Sequence, residues 1–191
     1  MTVETKESAS GTYLKGRCNH GSDDIAGRIV LLSIGNELRS DDGVACRILN
    51  ALQKLEPDIC FFDLACHTGF IPECLPGHSA AIIVDATCNG ASPGDLSIVR
   101  IADPENCRAM LPRSSHSLSL SDELSFLANT GRLPAQLYFI GIEVASVDWL
   151  NKLSPTLEEK MPKLLEEIRS FLHELKQGLE ASLACEHGKQ Q

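Results

Sequence analysis

Residues 28–34 (RIVLLSI) form a continuous apolar run rich in β-branched side chains, the pattern of a strand covered on both faces in a parallel sheet. A polar turn, GNELRSDDG, follows at residues 35–43. After it Val44, Ala45, Ile48, Leu49, Leu52 and Leu55 recur at three- and four-residue spacing, which predicts an amphipathic helix with one face on a core. Residues 59–64 (ICFFDL) and 80–84 (AAIIV) predict two further buried strands, the second stopping at Asp85. Pro93-Gly94 marks a turn into an edge strand over residues 95–101. Leu120, Leu124 and Leu127 predict a helix over residues 117–130 with Gly131 as its stop, and residues 137–142 (LYFIGI) predict another strand. In the last element Leu157, Met161, Leu164, Leu165, Ile168 and Leu172 share a helical face, Ser154-Pro155 supplies the cap and first turn, and Pro162 predicts a kink or a later start.

Strands alternating with helix-sized connections imply right-handed βαβ units. The expectation is one α/β domain over residues 27–177, a mostly parallel twisted sheet with helices on both faces in a three-layer αβα arrangement. The polar, Gly/Ser-rich residues 1–26 read as a flexible N-terminal extension, and residues 178–191 as a flexible C-terminal tail.

Composition narrows the function. The 191 residues are 43% hydrophobic, enough for one domain with a sizeable core. A formal net charge of −9 leaves no basic stripe for a phosphate backbone, which argues against a nucleic-acid partner. No apolar run approaches the roughly 18 residues that span a bilayer and no signal-peptide core is evident, so the expectation is a cytoplasmic protein with no membrane partner. Eight cysteines lie at 18, 46, 60, 66, 74, 88, 107 and 185 with no CxxC pair, so most are read as reduced, buried, small apolar residues.

The first strand-to-helix turn carries the chemistry. A dinucleotide site there needs a Gly-x-Gly-x-x-Gly spacing so that backbone amides can approach the pyrophosphate. That spacing is absent, and the adjacent Asp41 and Asp42 would repel a phosphate. Either the aspartates complement the helix dipole, or at least one binds a cation. Asp85 ends a buried strand, where it either ligates or bonds the amides of the loop at 87–90. His116 precedes a helix and is either a surface residue or a third ligand. Together Asp42, Asp85 and His116 offer an open O,O,N set suited to a divalent transition metal. Ser114 and Ser115 adjoin His116, but sequence neighbours are not a catalytic pair and no Gly-x-Ser-x-Gly elbow occurs.

Gly35-Asn36, Asp41-Asp42-Gly43, Asp85 in IIVDA, Pro93-Gly94, Ser114-Ser115-His116 and Leu153-Ser154-Pro155 occur in the order and spacing of the NiFe-hydrogenase maturation proteases, which the chain resembles from about residue 28 to about 171. The resemblance implies a cytoplasmic endopeptidase that removes the C-terminal extension of the hydrogenase large-subunit precursor after nickel insertion; the chain itself is expected to be a monomer. By position it implies nickel contacts from Asp42, Asp85 and His116, with Asp42 and Asp85 catalytic. Asp42 stands where many members carry glutamate, and Ala45 where a glycine is common. The loop at 63–69 corresponds to a variable segment facing the substrate, which makes Asp63 and His67 substrate-binding candidates. The nickel arrives on the precursor, and the free protein is expected to be metal-free or weakly binding. The alternative is a non-catalytic nickel-binding chaperone of the large subunit using the same three residues.

Overall fold

The computed structural model describes residues 6–7, 13–18, 29–109 and 111–187. Its elements are β1 (Lys6–Glu7), β2 (Tyr13–Arg17), β3 (Ile29–Ser33), α1 (Val44–Leu55), β4 (Cys60–Asp63), α2 (Ile71–Cys74), β5 (Ala80–Thr87), β6 (Leu96–Arg100), α3 (Ser117–Asn129), β7 (Gln136–Glu143) and α4 (Pro155–His187). The strands pair in the order β1-β2-β4-β3-β5-β7-β6. The four most apolar runs make the central parallel block of β4, β3, β5 and β7. β2 and β6 flank it antiparallel, and β6 is the edge strand that the Pro93-Gly94 turn introduces.

Alternation along the buried strands feeds two cores. Ile29, Leu31, Ile82, Val84, Ile140 and Ile142 face one side, where Ile48 and Leu52 of α1 and Leu164 and Ile168 of α4 cover them. Val30, Leu32, Ile34, Ile83 and Phe139 face the other, against Ile71 of α2 and Leu120, Leu124 and Leu127 of α3. The result is the three-layer αβα arrangement. No helix among the described residues is long and apolar enough to cross a membrane.

Four features depart from the sequence reading. Within residues 1–26, the described parts are strands: β2 pairs with β4 through Lys15↔Asp63, Gly16↔Phe62 and Arg17↔Phe61, and most of the remaining extension lies outside the described residues. Backbone bonding to an otherwise open sheet edge drives this pairing, and hydropathy does not report it. The terminal helix passes through Pro162 unbroken and continues beyond Gly178 to His187, so the tail is helical from 178 to 187. Asp85 sits inside β5, paired with Gly141, rather than after the strand. Cys18 and Cys60 form a disulfide; Cys46, Cys74 and Cys107 are free and buried as expected, while Cys66 and Cys88 are free and exposed.

Candidate functional site

Parallel strands direct their carboxyl ends to one rim, and the turns leaving β3 and β5 meet there. Gly35, after β3, has φ of 145°, and a Cβ on it would lie 2.0 Å from the carbonyl oxygen of Asp42. Only glycine lets the turn fold back on itself this tightly. Residues 40–43 then make a 3-10 turn into α1.

The two adjacent aspartates do different work, and neither caps the helix. Asp41 is fully buried and accepts the amides of Ser154 at 2.6 Å, Ala145 at 3.0 Å and Ser146 at 3.2 Å. It ties the segment between β7 and α4 to the first turn. Asp42 accepts one amide, from Asn36 at 2.9 Å.

Asp85 has no solvent exposure. Its Oδ1 accepts the Ala86 amide at 2.8 Å and lies 3.4 Å from Nδ1 of His116. Among the described residues, its Oδ2 is buried with no hydrogen-bond partner, a costly arrangement unless something else supplies one. Burial pushes the Asp85 carboxyl above its usual range, against the lowering contributions of His116 and Ser114. The hydrogen bond to Asp85 pushes His116 up in turn. Burial thus tightens the hold on a proton at Asp85, and Asp85 tightens it at His116. The Asp42 charge raises the proton affinity of both groups, which puts Asp42 on the same rim.

The three predicted ligands therefore converge on one end of the sheet, with Asp85 and His116 in contact. Asp42 stands further off: among the described residues, the group of three whose ligand atoms all lie within 4.8 Å is a different one, Cys18, Cys60 and His78. The predicted substrate residues diverge. Asp63 is bonded inward, accepting from Ser33 Oγ at 3.0 Å, the Ala65 amide at 3.0 Å and Cys46 Sγ at 3.2 Å. His67 is exposed and sits edge-on to Phe70, with ring centroids 6.2 Å apart.

Nucleophilic catalysis finds no support in this geometry. Ser115 Oγ lies 3.2 Å from the same Nδ1 of His116 that faces Asp85, whereas a Ser-His-Asp relay needs the hydroxyl and the carboxylate on opposite ring nitrogens. Cys66 is exposed, but partial burial and then the charges of Asp42 and Asp85 push its thiol up, which disfavours the thiolate.

The sequence reading missed Glu143. Buried at the end of β7, it accepts the amides of Asn89 and Gly90 at 2.7 Å and of Ala91 at 3.2 Å, with the Thr87 hydroxyl at 3.1 Å. This is the loop-bonding role considered for Asp85. The loop in turn grips Arg113: Asn89 Oδ1 accepts its amide and Cys88 donates to its carbonyl, both at 2.8 Å. Through Arg113 it sets the turn that carries His116. An acidic residue closing an apolar run, the signal that exposed Asp85, also marks Glu143. Arg39 was missed too. Its guanidinium lies 5.5 Å from the ring centroid of the exposed Trp149, and its charge lowers the proton affinity of His116 and Cys66.

Comparison with known proteins identifies the family. The model of the hydrogenase maturation protease family matches residues 46–171. The Hydrogenase 2 maturation protease of Escherichia coli K12 is 31% identical over 160 residues, covering 81% of this chain and 94% of the relative. The expression/formation protein HupD of Rhizobium leguminosarum is 26% identical over 74% of this chain and 72% of its own length. The structure of the hydrogenase maturating endopeptidase HybD from Escherichia coli superposes with a TM-score of 0.67 at 28% identity, covering 77% of this chain and 93% of that one.

Proposed function

The chain belongs to the hydrogenase maturation protease family, and we propose that it removes the C-terminal extension of a NiFe-hydrogenase large-subunit precursor after nickel insertion, recognising the metal through Asp42, Asp85 and His116. Membership makes it a peptidase; the nickel-dependent recognition is the further step. The observation that carries it is the fully buried Asp85, with one oxygen beside His116 and the other without a hydrogen-bond partner among the described residues.

A carboxylate left partly unsatisfied in a buried rim, within the field of a second carboxylate, is suited to a cation. Nickel riding on the precursor supplies that charge, so a metal-free precursor docks against two repelling acids. His116 directs Nδ1 at Asp85, which leaves Nε2 for the metal. Asp85 fixes the imidazole and contributes an oxygen. Asp42, held by a single amide, takes the proton of the water that attacks the scissile carbonyl.

Incubating the full chain with nickel-loaded and nickel-free precursor, and weighing the products by intact mass spectrometry, tests this reading. Only the loaded form should shorten. Equal cleavage of both forms removes the metal from recognition, and binding without any change in mass establishes the chaperone alternative.

A further inference from the structure

A second cluster lies at the opposite end of the sheet from Asp42, Asp85 and His116. Cys18 follows β2, Cys60 is the first residue of β4, and His78 precedes β5, so all three gather where the parallel strands begin. The register Arg17↔Phe61 sets Cys18 across from Cys60, with Cα atoms 4.5 Å apart. One ring nitrogen of His78 and the two sulfurs lie within 4.8 Å of one another. His78 Nδ1 is 3.2 Å from the Leu75 carbonyl. A carbonyl only accepts, so this contact places the imidazole proton on Nδ1 and the lone pair on Nε2, the usual way a backbone oxygen orients a metal-binding histidine.

We propose that, with the Cys18–Cys60 disulfide reduced, Cys18 Sγ, Cys60 Sγ and His78 Nε2 bind a zinc-class divalent cation, in a site separate from the one that meets the precursor. Two thiolates and an imidazole suit zinc, and three protein ligands leave a fourth tetrahedral position open. The chemistry balances with a small thiol as reductant. Two thiols reduce the disulfide to Cys18 and Cys60 thiols and leave as their own disulfide; the cation then displaces two protons from the cysteines. The same pair of sulfurs holds β2 to β4 in either state, through a covalent bond or through the metal. The metal state adds His78, and with it the entry to β5.

Cobalt(II) is the probe, because thiolate ligation gives it charge-transfer absorption. The full chain, reduced with a phosphine and stripped of metal, should develop that absorption and saturate at a single equivalent, while the oxidised chain should not. Zinc should displace the cobalt and shield Cys18 and Cys60 from alkylation, read by peptide mass spectrometry. Replacing the exposed Cys66 and Cys88 with serine should leave the signal intact, and so should His116→Ala. His78→Gln should weaken binding by more than the roughly 10- to 100-fold typical of losing a supporting hydrogen bond. Cys18→Ser should abolish the absorption, and circular dichroism of each metal-free variant reports whether it folds. No absorption in the reduced chain, alkylation of both cysteines unaffected by zinc, or unchanged affinity in a folded His78→Gln overturns the site.

Discussion

Glu143→Ala tests whether the loop on β5 sets the geometry of His116. The carboxylate accepts two amides at 2.7 Å, from Asn89 and Gly90, and longer bonds from Ala91 and Thr87. A hydrogen bond to a charged group contributes about 1.5–3 kcal/mol, so the two short ones alone represent roughly 3–6 kcal/mol. Asn89, Gly90 and Ala91 are exposed residues, and water can reclaim part of what their amides lose. The expected destabilisation is therefore about 2–4 kcal/mol, read as a lower urea midpoint and as a fall in Tm of about 4–16 °C for a chain of this size. Processing of the nickel-loaded precursor should fall further than the folded fraction does, because the loop holds Arg113 and the turn to His116 depends on it. Glu143→Gln retains an oxygen for the amides and should fall between Ala and the parent on both measures. Normal processing by a destabilised but folded Glu143→Ala would show that His116 is positioned without the loop.

Asp85→Asn removes a buried charge with an unpartnered oxygen, so thermal unfolding should show stability equal to or above the parent while precursor processing is lost; retained processing would remove Asp85 from the site. The neighbouring aspartates should separate cleanly. Asp41→Ala frees three amides and should cost about 3 kcal/mol or more in urea unfolding, whereas Asp42→Asn keeps an acceptor for Asn36 and should change stability by less than about 0.5 kcal/mol while abolishing processing. The His116 imidazole, followed by NMR, should titrate above its ordinary value and move down in Asp85→Asn. Both members of the pair hold protons more tightly in the folded state, so their contribution to stability is present at low pH and is lost as pH rises through their raised values; a His116 titration below the ordinary value would contradict the pairing. Cys66→Ser should process normally, and its failure would reopen a thiol mechanism.

Every central strand was legible because each is buried on both faces and therefore reads as an unbroken apolar run. The convergence of Asp42 and Asp85 on one rim followed from topology, since parallel strands gather their carboxyl ends whatever their sequences, whereas His116 comes after the antiparallel β6 and its turn is set through Arg113 by the loop on β5. What could not be read is pairing through the backbone alone. YLKGR at 13–17 has no hydropathic signature of a strand, yet it closes the open side of β4. Cys18 and Cys60 are separated by 42 residues and meet only because of that pairing. Asp41 and Asp42 are chemically identical neighbours, and only the segment between β7 and α4, more than 100 residues away, distinguishes them.

The strand ends carry more acids than a cation site needs, and hydrogen-bond saturation sorts them. Asp41 is neutralised by three amides, Glu143 by three amides and a hydroxyl, and Asp63 by a hydroxyl, an amide and a thiol. Donors already aimed at a carboxylate leave it little to offer an incoming ion and make it a fixed strut of the loops around the rim. Asp42 accepts one amide, and Asp85 keeps an oxygen with no partner among the described residues. Of these acids, Asp42 and Asp85 keep the most coordinating capacity, and the charge of Asp42 is felt at Asp85. Asp42 adds negative charge around Asp85, and His116 offsets it only when protonated. In the proposed reaction a cation arriving on the precursor would fill that capacity, and the energy of docking would then depend on the metal as well as on the peptide.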